Sequence, residues 1–115
     1  MAEISKELIR GHTDAIVLNI LAQGDSYGYR IVQDIKTMSA GQYELNEATL
    51  YAVFRRLQKE AFVTAYYGNE TQGGRRKYYT LTDLGQQRLQ EAQAEWQLAK
   101  VIIGKLMTGK VEQDG

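Results

Sequence analysis

The chain has 115 residues, of which 43% are hydrophobic and 24% charged; this composition excludes a disordered protein and predicts a single folded domain. It contains no cysteine and one histidine, His12, which excludes disulfides, thiolate nucleophiles and zinc sites built on cysteine or paired histidine. The charged N-terminal segment and the absence of a long apolar run predict a soluble, cytoplasmic protein without a signal peptide or membrane helix.

The net charge is zero, but the basic residues are concentrated in one region. Residues 49–82 carry a local charge of +4, because only Glu60 and Glu70 oppose the basic side chains there, and the rest of the chain carries −4. A polyanion responds to the local field, so the neutral total does not exclude nucleic acid as a partner. The basic residues of this region are Arg55, Arg56, Lys59, Arg75, Arg76 and Lys77.

Apolar residues at helical spacing predict a first helix over residues 5–22. Its main apolar stripe consists of Leu8, Ala15, Leu18 and Ala22. Residues 16, 17, 20 and 21 are also apolar and extend around most of the remaining circumference. Because a small domain has a single core, we expect the second apolar side of this helix to contact another subunit.

Two further helices are predicted before the first strand. Ser26 is the predicted N-cap of a helix over residues 27–38, whose inward stripe consists of Ile31, Ile35 and Met38. Residues 43–45 are predicted to form a short extended segment, and Asn46 is the predicted N-cap of a third helix over residues 47–60.

The remaining sequence predicts a hairpin followed by a long helix. Residues 62–67 and 77–81 are rich in β-branched and aromatic residues, which predicts two strands, and the glycines of residues 68–75 fit a hairpin loop. Thr82 is the predicted N-cap of the final helix, whose apolar residues repeat at heptad spacing. This heptad seam consists of Leu89, Ala92, Trp96, Ala99, Ile103 and Leu106.

The order of the elements predicts a mainly α fold with a small β-hairpin, namely a winged helix-turn-helix plus a long C-terminal dimerisation helix. The predicted DNA-binding domain covers residues 1–82, the dimerisation helix residues 83–108 and a frayed tail residues 109–115. The last helix is longer than a winged domain can bury alone, and we therefore expect a homodimer.

Two basic clusters are candidate DNA contacts. The third helix would enter the major groove with Thr49, Ala52, Arg56 and Lys59 outward and Tyr51 and Arg55 at the edges of this face. Arg75, Arg76 and Lys77 follow two glycines at the hairpin tip, where they could lie along phosphates or enter a minor groove. The alternatives are a solvated helix face and a hairpin edge that is protected by charge. A winged fold brings both clusters to one surface, which favours the DNA interpretation.

Trp96, the only tryptophan, lies on the heptad seam with Ala92 and Ala99 one turn away on either side. Small residues beside a large one leave space, which a symmetric dimer would double, so one hypothesis is a flat aromatic pocket for a planar ligand. The alternative, which the residues alone favour, is that Trp96 simply fills the interface.

The sequence offers little for catalysis, and we expect neither an enzyme nor a metal or other cofactor. Glu91 and Glu95 are spaced as solvated charges on the final helix, and His12 has Asp14 nearby but no serine nucleophile in a strained turn. The glycines match neither a phosphate-binding loop nor a dinucleotide fingerprint.

Three segments resemble the PadR family of bacterial transcriptional regulators. They are LNEATLY at residues 45–51, RLQKE at residues 56–60 and GGRRKYYTLT at residues 73–82, and the similarity extends from Ile4 to Leu106. The resemblance implies a dimer in which the long C-terminal helix packs on the partner's first helix. It also implies repression through double-stranded DNA, with contacts from Thr49, Tyr51, Arg55, Arg56, Lys59, Arg75, Arg76 and Lys77.

Short members of the family bind planar hydrophobic compounds between paired tryptophans, so the resemblance implies a ligand contact at Trp96. Leu8, Ala15, Asn19, Ala92 and Ala99 would line the cavity. One short member of the family that this chain resembles has an aromatic residue in place of Gln93 and an acidic residue in place of Lys100. Since Lys100 repels cations, we predict a preference for neutral or anionic flat ligands.

The expected function is therefore a homodimeric repressor that binds a pseudo-palindromic operator, is relieved by a flat aromatic molecule and controls a multidrug transporter or detoxification operon. The alternative is a winged-helix module that binds a ligand or protein without reading DNA. A gel shift with the chain's own upstream DNA separates the two, because only the first gives a salt-sensitive, sequence-selective band.

Overall fold

Helices and one antiparallel hairpin form the described part of the computed structural model, which covers residues 2–69 and 75–113. The helices are α1 (Lys6–Ile9), α2 (Thr13–Leu21), α3 (Gly28–Met38), α4 (Glu47–Lys59) and α5 (Asp83–Thr108), and the strands are β1 (Val63–Tyr67) and β2 (Lys77–Leu81). This arrangement confirms the predicted mainly α fold with a winged helix-turn-helix and a long C-terminal helix.

The predicted first helix is wrong as a single element, because a 3₁₀ turn at Arg10–His12 separates α1 from α2. Gly11 lies in this turn, and glycine is a poor helix former, so the break falls where the helix is weakest. The predicted apolar stripe also fails at its ends. Leu8 is 71% exposed and Ala22 is exposed, whereas Leu18 is buried in the core.

The core of the winged domain lies between α2, α3 and α4, where Phe54, Leu18, Ile31 and Leu50 are the largest fully buried side chains. The predicted cap of α4 is confirmed, since Asn46 Oδ1 accepts a 2.8 Å hydrogen bond from the backbone N–H of Thr49.

Two local predictions around α3 are wrong. Ser26 does not cap α3: the residue preceding the helix is Tyr27, and Ser26 instead forms a β-bridge with Tyr79 through hydrogen bonds of 3.2 and 2.8 Å. Met38 is 59% exposed and does not point into the core. Residues 43–45, which were predicted to be extended, belong to no helix or strand, and Leu45 is buried.

The hairpin pairs β1 with β2 in antiparallel register from Val63–Leu81 to Tyr67–Lys77. The ring of Phe54 on α4 stacks on Tyr79 of β2, with centroids 3.7 Å apart and planes inclined by 10°. This contact fixes the hairpin against α4. The predicted hairpin loop, residues 68–75, lies largely outside the described residues.

Helix α5 begins as predicted, because Thr82 Oγ1 accepts a hydrogen bond from the N–H of Gly85 at 3.0 Å. Gly85 is buried against the backbone just before β1, where a Cβ atom would overlap the carbonyl oxygen of Phe62. Glycine is therefore required for α5 to approach the hairpin this closely. Leu89 is the last buried apolar residue of α5.

The second half of α5 extends away from the rest of the described chain, which measures 75 × 34 × 21 Å along its principal axes. Its large apolar side chains are exposed, and they are Trp96, Leu98, Val101, Ile102, Ile103, Leu106 and Met107. Within the described residues, none of the helices is both long and apolar enough to span a membrane.

Candidate nucleic-acid interface and internal cavity

A cleft of about 320 Å³ lies between the start of α3, the start of α4 and strand β2. It brings three of the predicted DNA contacts together, namely Tyr51 of α4 and Arg76 and Lys77 of the hairpin. The remaining lining residues are Tyr27, Gly28, Tyr29, Glu47 and Tyr79. Tyr51 and Arg76 are 25 residues apart in the sequence. Helix α4 and the hairpin therefore share one concave surface.

Aromatic rings contact the cations at the loop end of the hairpin. The Arg76 guanidinium carbon lies 4.2 Å from the centroid of the Tyr27 ring, and Lys77 Nζ lies 5.6 Å from that of Tyr79. Such cation–π contacts stabilise the position of a basic side chain and leave its positive charge intact. Burial raises the pKa of Tyr79, and the nearby Lys77 ammonium offsets part of that increase.

The ring of Tyr27 is in turn packed against the hairpin. It contacts Tyr78 edge-on at 5.5 Å, and Tyr78 stacks on Tyr66 at 5.6 Å. The hydroxyl of Tyr66 donates a 2.6 Å hydrogen bond to Asp25 Oδ2, and this bond raises the pKa of Tyr66. The N-terminal end of α3 and the hairpin are thus joined by a continuous row of aromatic side chains.

The other predicted DNA contacts are exposed. On the solvent side of α4 these are Thr49, Arg55 and Lys59, and in the hairpin Arg75 lies two residues before β2. The glycines that precede Arg75, residues 73 and 74, are outside the described residues.

Arg56 differs from these residues, because its guanidinium contacts α2. Its Nη2 lies 2.6 Å from Asp14 Oδ1 and its Nε 3.3 Å from Asp14 Oδ2, and the hydrogen bond to Asp14 raises the pKa of Arg56. At 3.6 residues per turn, Arg56 lies about 140° around α4 from Tyr51. Arg56 lies only about 20° around α4 from Thr49, so it starts on the predicted face, and the ion pair with Asp14 directs its guanidinium from there toward α2.

A second, larger cavity of about 990 Å³ lies between α2, α4 and α5. Six of the predicted ligand contacts line it, namely Ala15, Asn19, Ala92, Gln93, Trp96 and Ala99. Two do not. Leu8 is exposed and lies outside the wall, while Lys100 places its Nζ 5.8 Å from the centroid of the Trp96 ring without lining the cavity.

The cavity wall contains a residue that sequence patterns did not place there. His12, in the turn between α1 and α2, contacts Trp96 edge-on with ring centroids 5.2 Å apart. The two residues are far apart in the chain, and no local periodicity connects them. Trp96 therefore has an aromatic neighbour within one chain, although its own ring is 46% exposed.

Charged residues of the wall form ion pairs. Arg10 pairs with Glu7 at 3.2 Å, and Arg88 pairs with Glu91 at 3.5 Å and Glu95 at 3.3 Å. The two glutamates that were predicted as solvated charges are exposed and hold Arg88. In residues 2–69 and 75–113, no group of acidic or histidine side chains is placed to hold a metal ion.

The comparison with known proteins agrees with this architecture. Residues 17–91 match the sequence model of the transcriptional regulator PadR-like family. A transcriptional regulator from Clostridium thermocellum shares 41% identity and a TM-score of 0.81 over 86% of this chain and 96% of its own. A PadR family regulator from Clostridium difficile shares 33% identity and a TM-score of 0.71, covering 82% of this chain and 96% of its own.

A relative from Lysinibacillus sphaericus, the uncharacterised protein X, is 44% identical over 106 residues, which are 92% of this chain and 97% of that protein. Members of the matched family are transcriptional regulators that bind DNA and are not enzymes. From the family match, these similarities and the winged fold, we conclude that this chain belongs to the PadR-like family of transcriptional regulators.

Proposed function

We propose that the protein is a homodimeric repressor that binds a pseudo-palindromic operator and is released from it by a flat aromatic molecule. Residues 1–82 would form the DNA-binding domain, residues 83–108 the dimerisation helix and residues 109–115 a frayed tail. The regulated genes would encode a multidrug transporter or detoxification enzymes. The observation that carries this proposal is the cleft that Tyr51 shares with Arg76 and Lys77.

The proposed DNA contacts come from two elements that border this cleft. Helix α4 would enter the major groove with Thr49, Tyr51, Arg55 and Lys59, where hydroxyl and basic groups reach base edges and phosphates. The hairpin would follow the backbone or a minor groove with Arg75, Arg76 and Lys77. Arg56 is not included, because its guanidinium is paired with Asp14.

The proposed dimer rests on the exposed apolar side chains of α5. Leu106 is 80% exposed and Ile103 55% exposed in the single chain, and contiguous apolar surface of this kind is typical of an interface. A second copy is the favoured partner, because the heptad seam of α5 is self-complementary. Two α4 helices would then be presented to half-sites about 34 Å apart, or a multiple of that spacing.

The proposed effector site is the cavity beside Trp96. The indole supplies a flat surface for stacking, and Ala92, Ala99 and Ala15 leave room against it. Asn19 and Gln93 supply hydrogen-bonding groups. Lys100, near the indole, favours neutral or anionic molecules over cations.

Titration of the chain's own upstream DNA tests the proposal, with binding followed by gel shift and fluorescence anisotropy at several salt concentrations. If each subunit makes three or four phosphate contacts, log affinity should fall with log salt at a slope of about −6. A purified dimer that gives no salt-sensitive, sequence-selective complex would instead support a module that does not read DNA.

Substitutions sharpen this test. Arg75→Ala should weaken binding to all sequences and make the slope shallower by about 2 per dimer, because one phosphate contact is lost in each subunit. Lys110→Ala is the matched control, since it removes an exposed cation from the C-terminal segment. Substitution of Thr49 or Tyr51 should alter sequence preference as well as affinity.

A further inference from the structure

We infer that Arg56 is a positioning residue: it holds α4 against α2 through Asp14 and is the contact through which the cavity acts on the DNA-reading helix. This inference rests on the proposed function. It replaces the expectation that Arg56 contacts DNA and assigns a role to Asp14, which the sequence singled out only as a neighbour of His12.

The geometry of the pair is specific. Arg56 uses both Nε and Nη2 to contact the two carboxylate oxygens of Asp14, at 3.3 and 2.6 Å, across 42 residues of sequence. A bidentate guanidinium–carboxylate contact restrains orientation as well as distance. The pair therefore restrains the angle between α2 and α4, the two helices that carry it.

The pair is also placed where a ligand can reach it. Asp14 and Arg56 both line the cavity that contains Trp96, and both side chains are about half exposed. The other arginine pairs of the wall, Arg10 with Glu7 and Arg88 with its glutamates, each lie within a single short segment or helix. Among the ion pairs of the described wall, the Arg56 pair is thus the one that joins two core helices.

Its location on α4 connects the two candidate sites. Tyr51 borders the cleft and Arg56 the cavity, on opposite shoulders of the same helix. A ligand that displaces Asp14 from Arg56, or competes for either group, removes a restraint on α4. Because the hairpin is stacked on α4 through Phe54 and Tyr79, a small tilt at Arg56 would move Tyr51 and the hairpin cations together relative to α2.

Four variants test the role of the pair: Asp14→Asn, Arg56→Gln, the combination of these two, and the reversed pair Asp14→Arg with Arg56→Asp. An exposed ion pair contributes only a small interaction free energy, but the pair occurs twice in a dimer. Each single variant should therefore lose about fivefold to twentyfold in operator affinity. The salt slope should stay unchanged. The combined Asp14→Asn/Arg56→Gln variant should be no weaker than either single one, and the reversed pair should recover part of the affinity.

Two controls separate positioning from other roles. Urea unfolding should show that the variants remain folded, and Lys36→Gln, which removes an exposed cation paired with Glu44 outside both candidate sites, should leave operator affinity unchanged. A phosphate contact by Arg56 would give a different pattern. Arg56→Gln would then make the salt slope shallower by about 2 per dimer, whereas Asp14→Asn would maintain or increase affinity. That pattern would overturn the inference.

The link to the cavity is tested with 1-anilinonaphthalene-8-sulfonate, a flat anionic aromatic probe, followed by quenching of Trp96. Bound probe should lower operator affinity in the wild type and have a smaller effect in Asp14→Asn and Arg56→Gln. An equal effect in the variants, or quenching without any change in wild-type affinity, would refute the link. Failure of the wild type to bind DNA, or of the probe to quench Trp96, would count against the proposed function instead.

Discussion

Truncation of two seam residues of α5, Ile103→Ala with Leu106→Ala, should weaken the proposed dimer by about 3000-fold. The structure sets the magnitude, because these side chains are 55% and 80% exposed in the single chain and would become buried on association. Each substitution removes three carbon atoms, at about 0.8 kcal/mol per buried carbon. Counted over two chains and halved for incomplete burial, the loss is about 5 kcal/mol, or between about three and four orders of magnitude in Kd.

Sedimentation velocity over a range of protein concentrations measures this loss, and circular dichroism checks the helix. Helicity should be maintained, because alanine is the better helix former and neither side chain is buried in the single chain. Gln90→Ala with Gln97→Ala, on the opposite side of α5, is the matched control and should leave the dimer intact. A variant that dimerises like the wild type, or a wild type that is monomeric at micromolar concentration, would refute the assignment of this seam.

Three further changes test other parts of the molecule. Gly85→Ala should destabilise the fold by about 1–3 kcal/mol in urea unfolding, because the added Cβ would overlap a backbone oxygen. Gly104→Ala on the same helix meets open space and should stabilise the fold by up to about 1 kcal/mol. Equal effects of the two substitutions would contradict the packing argument. The pKa of Tyr79 is raised above its ordinary 10.0, so the tyrosine is deprotonated at lower pH in the unfolded state than in the folded state. The free energy of unfolding therefore falls as the pH rises above about 10. Tyr79→Phe should reduce this alkaline loss of stability, and an unchanged pH profile would contradict the argument. Ethidium should quench Trp96 less strongly than an anionic dye of similar size, and Lys100→Glu should reverse the order; tight ethidium binding by the wild type would refute the charge argument.

The parts of the fold that were predicted correctly depend on local signals. Asn46 and Thr82 cap α4 and α5 because each lies immediately before a helix and its side chain reaches a free N–H of the first turn. The two strands and the heptad seam are likewise visible as patterns within a few residues. Ser26 shows the limit of such signals. Serine is a common N-cap residue, but the backbone of Ser26 pairs with Tyr79. Tyr79 is more than 50 residues away, so a local sequence pattern cannot predict this pairing.

The candidate sites show the same limit at the level of side chains. Helical spacing correctly identified which residues of α4 leave the core, but it could not tell which neighbour each one meets. Arg56 has the same spacing as a solvent-facing base, and its direction is decided by Asp14 on α2. His12 is similar, since its contact with Trp96 depends on how α5 lies across the turn before α2. Long-range packing assigned these partners, and no pattern within a single element contains that information.

Helix α4 borders both candidate sites as a consequence of its apolar pattern. Its buried side chains, which include Leu50 and Leu57, occupy one side and dock it into the core, so that two shoulders remain beside the solvent face. One shoulder carries Tyr51 toward the hairpin and the other carries Arg56 toward α2. A helix that borders both sites cannot shift its position at the cavity without also shifting its position at the cleft. The proposed control of DNA binding by a small molecule would therefore require no long chain of intermediate residues, because a single helix borders both sites.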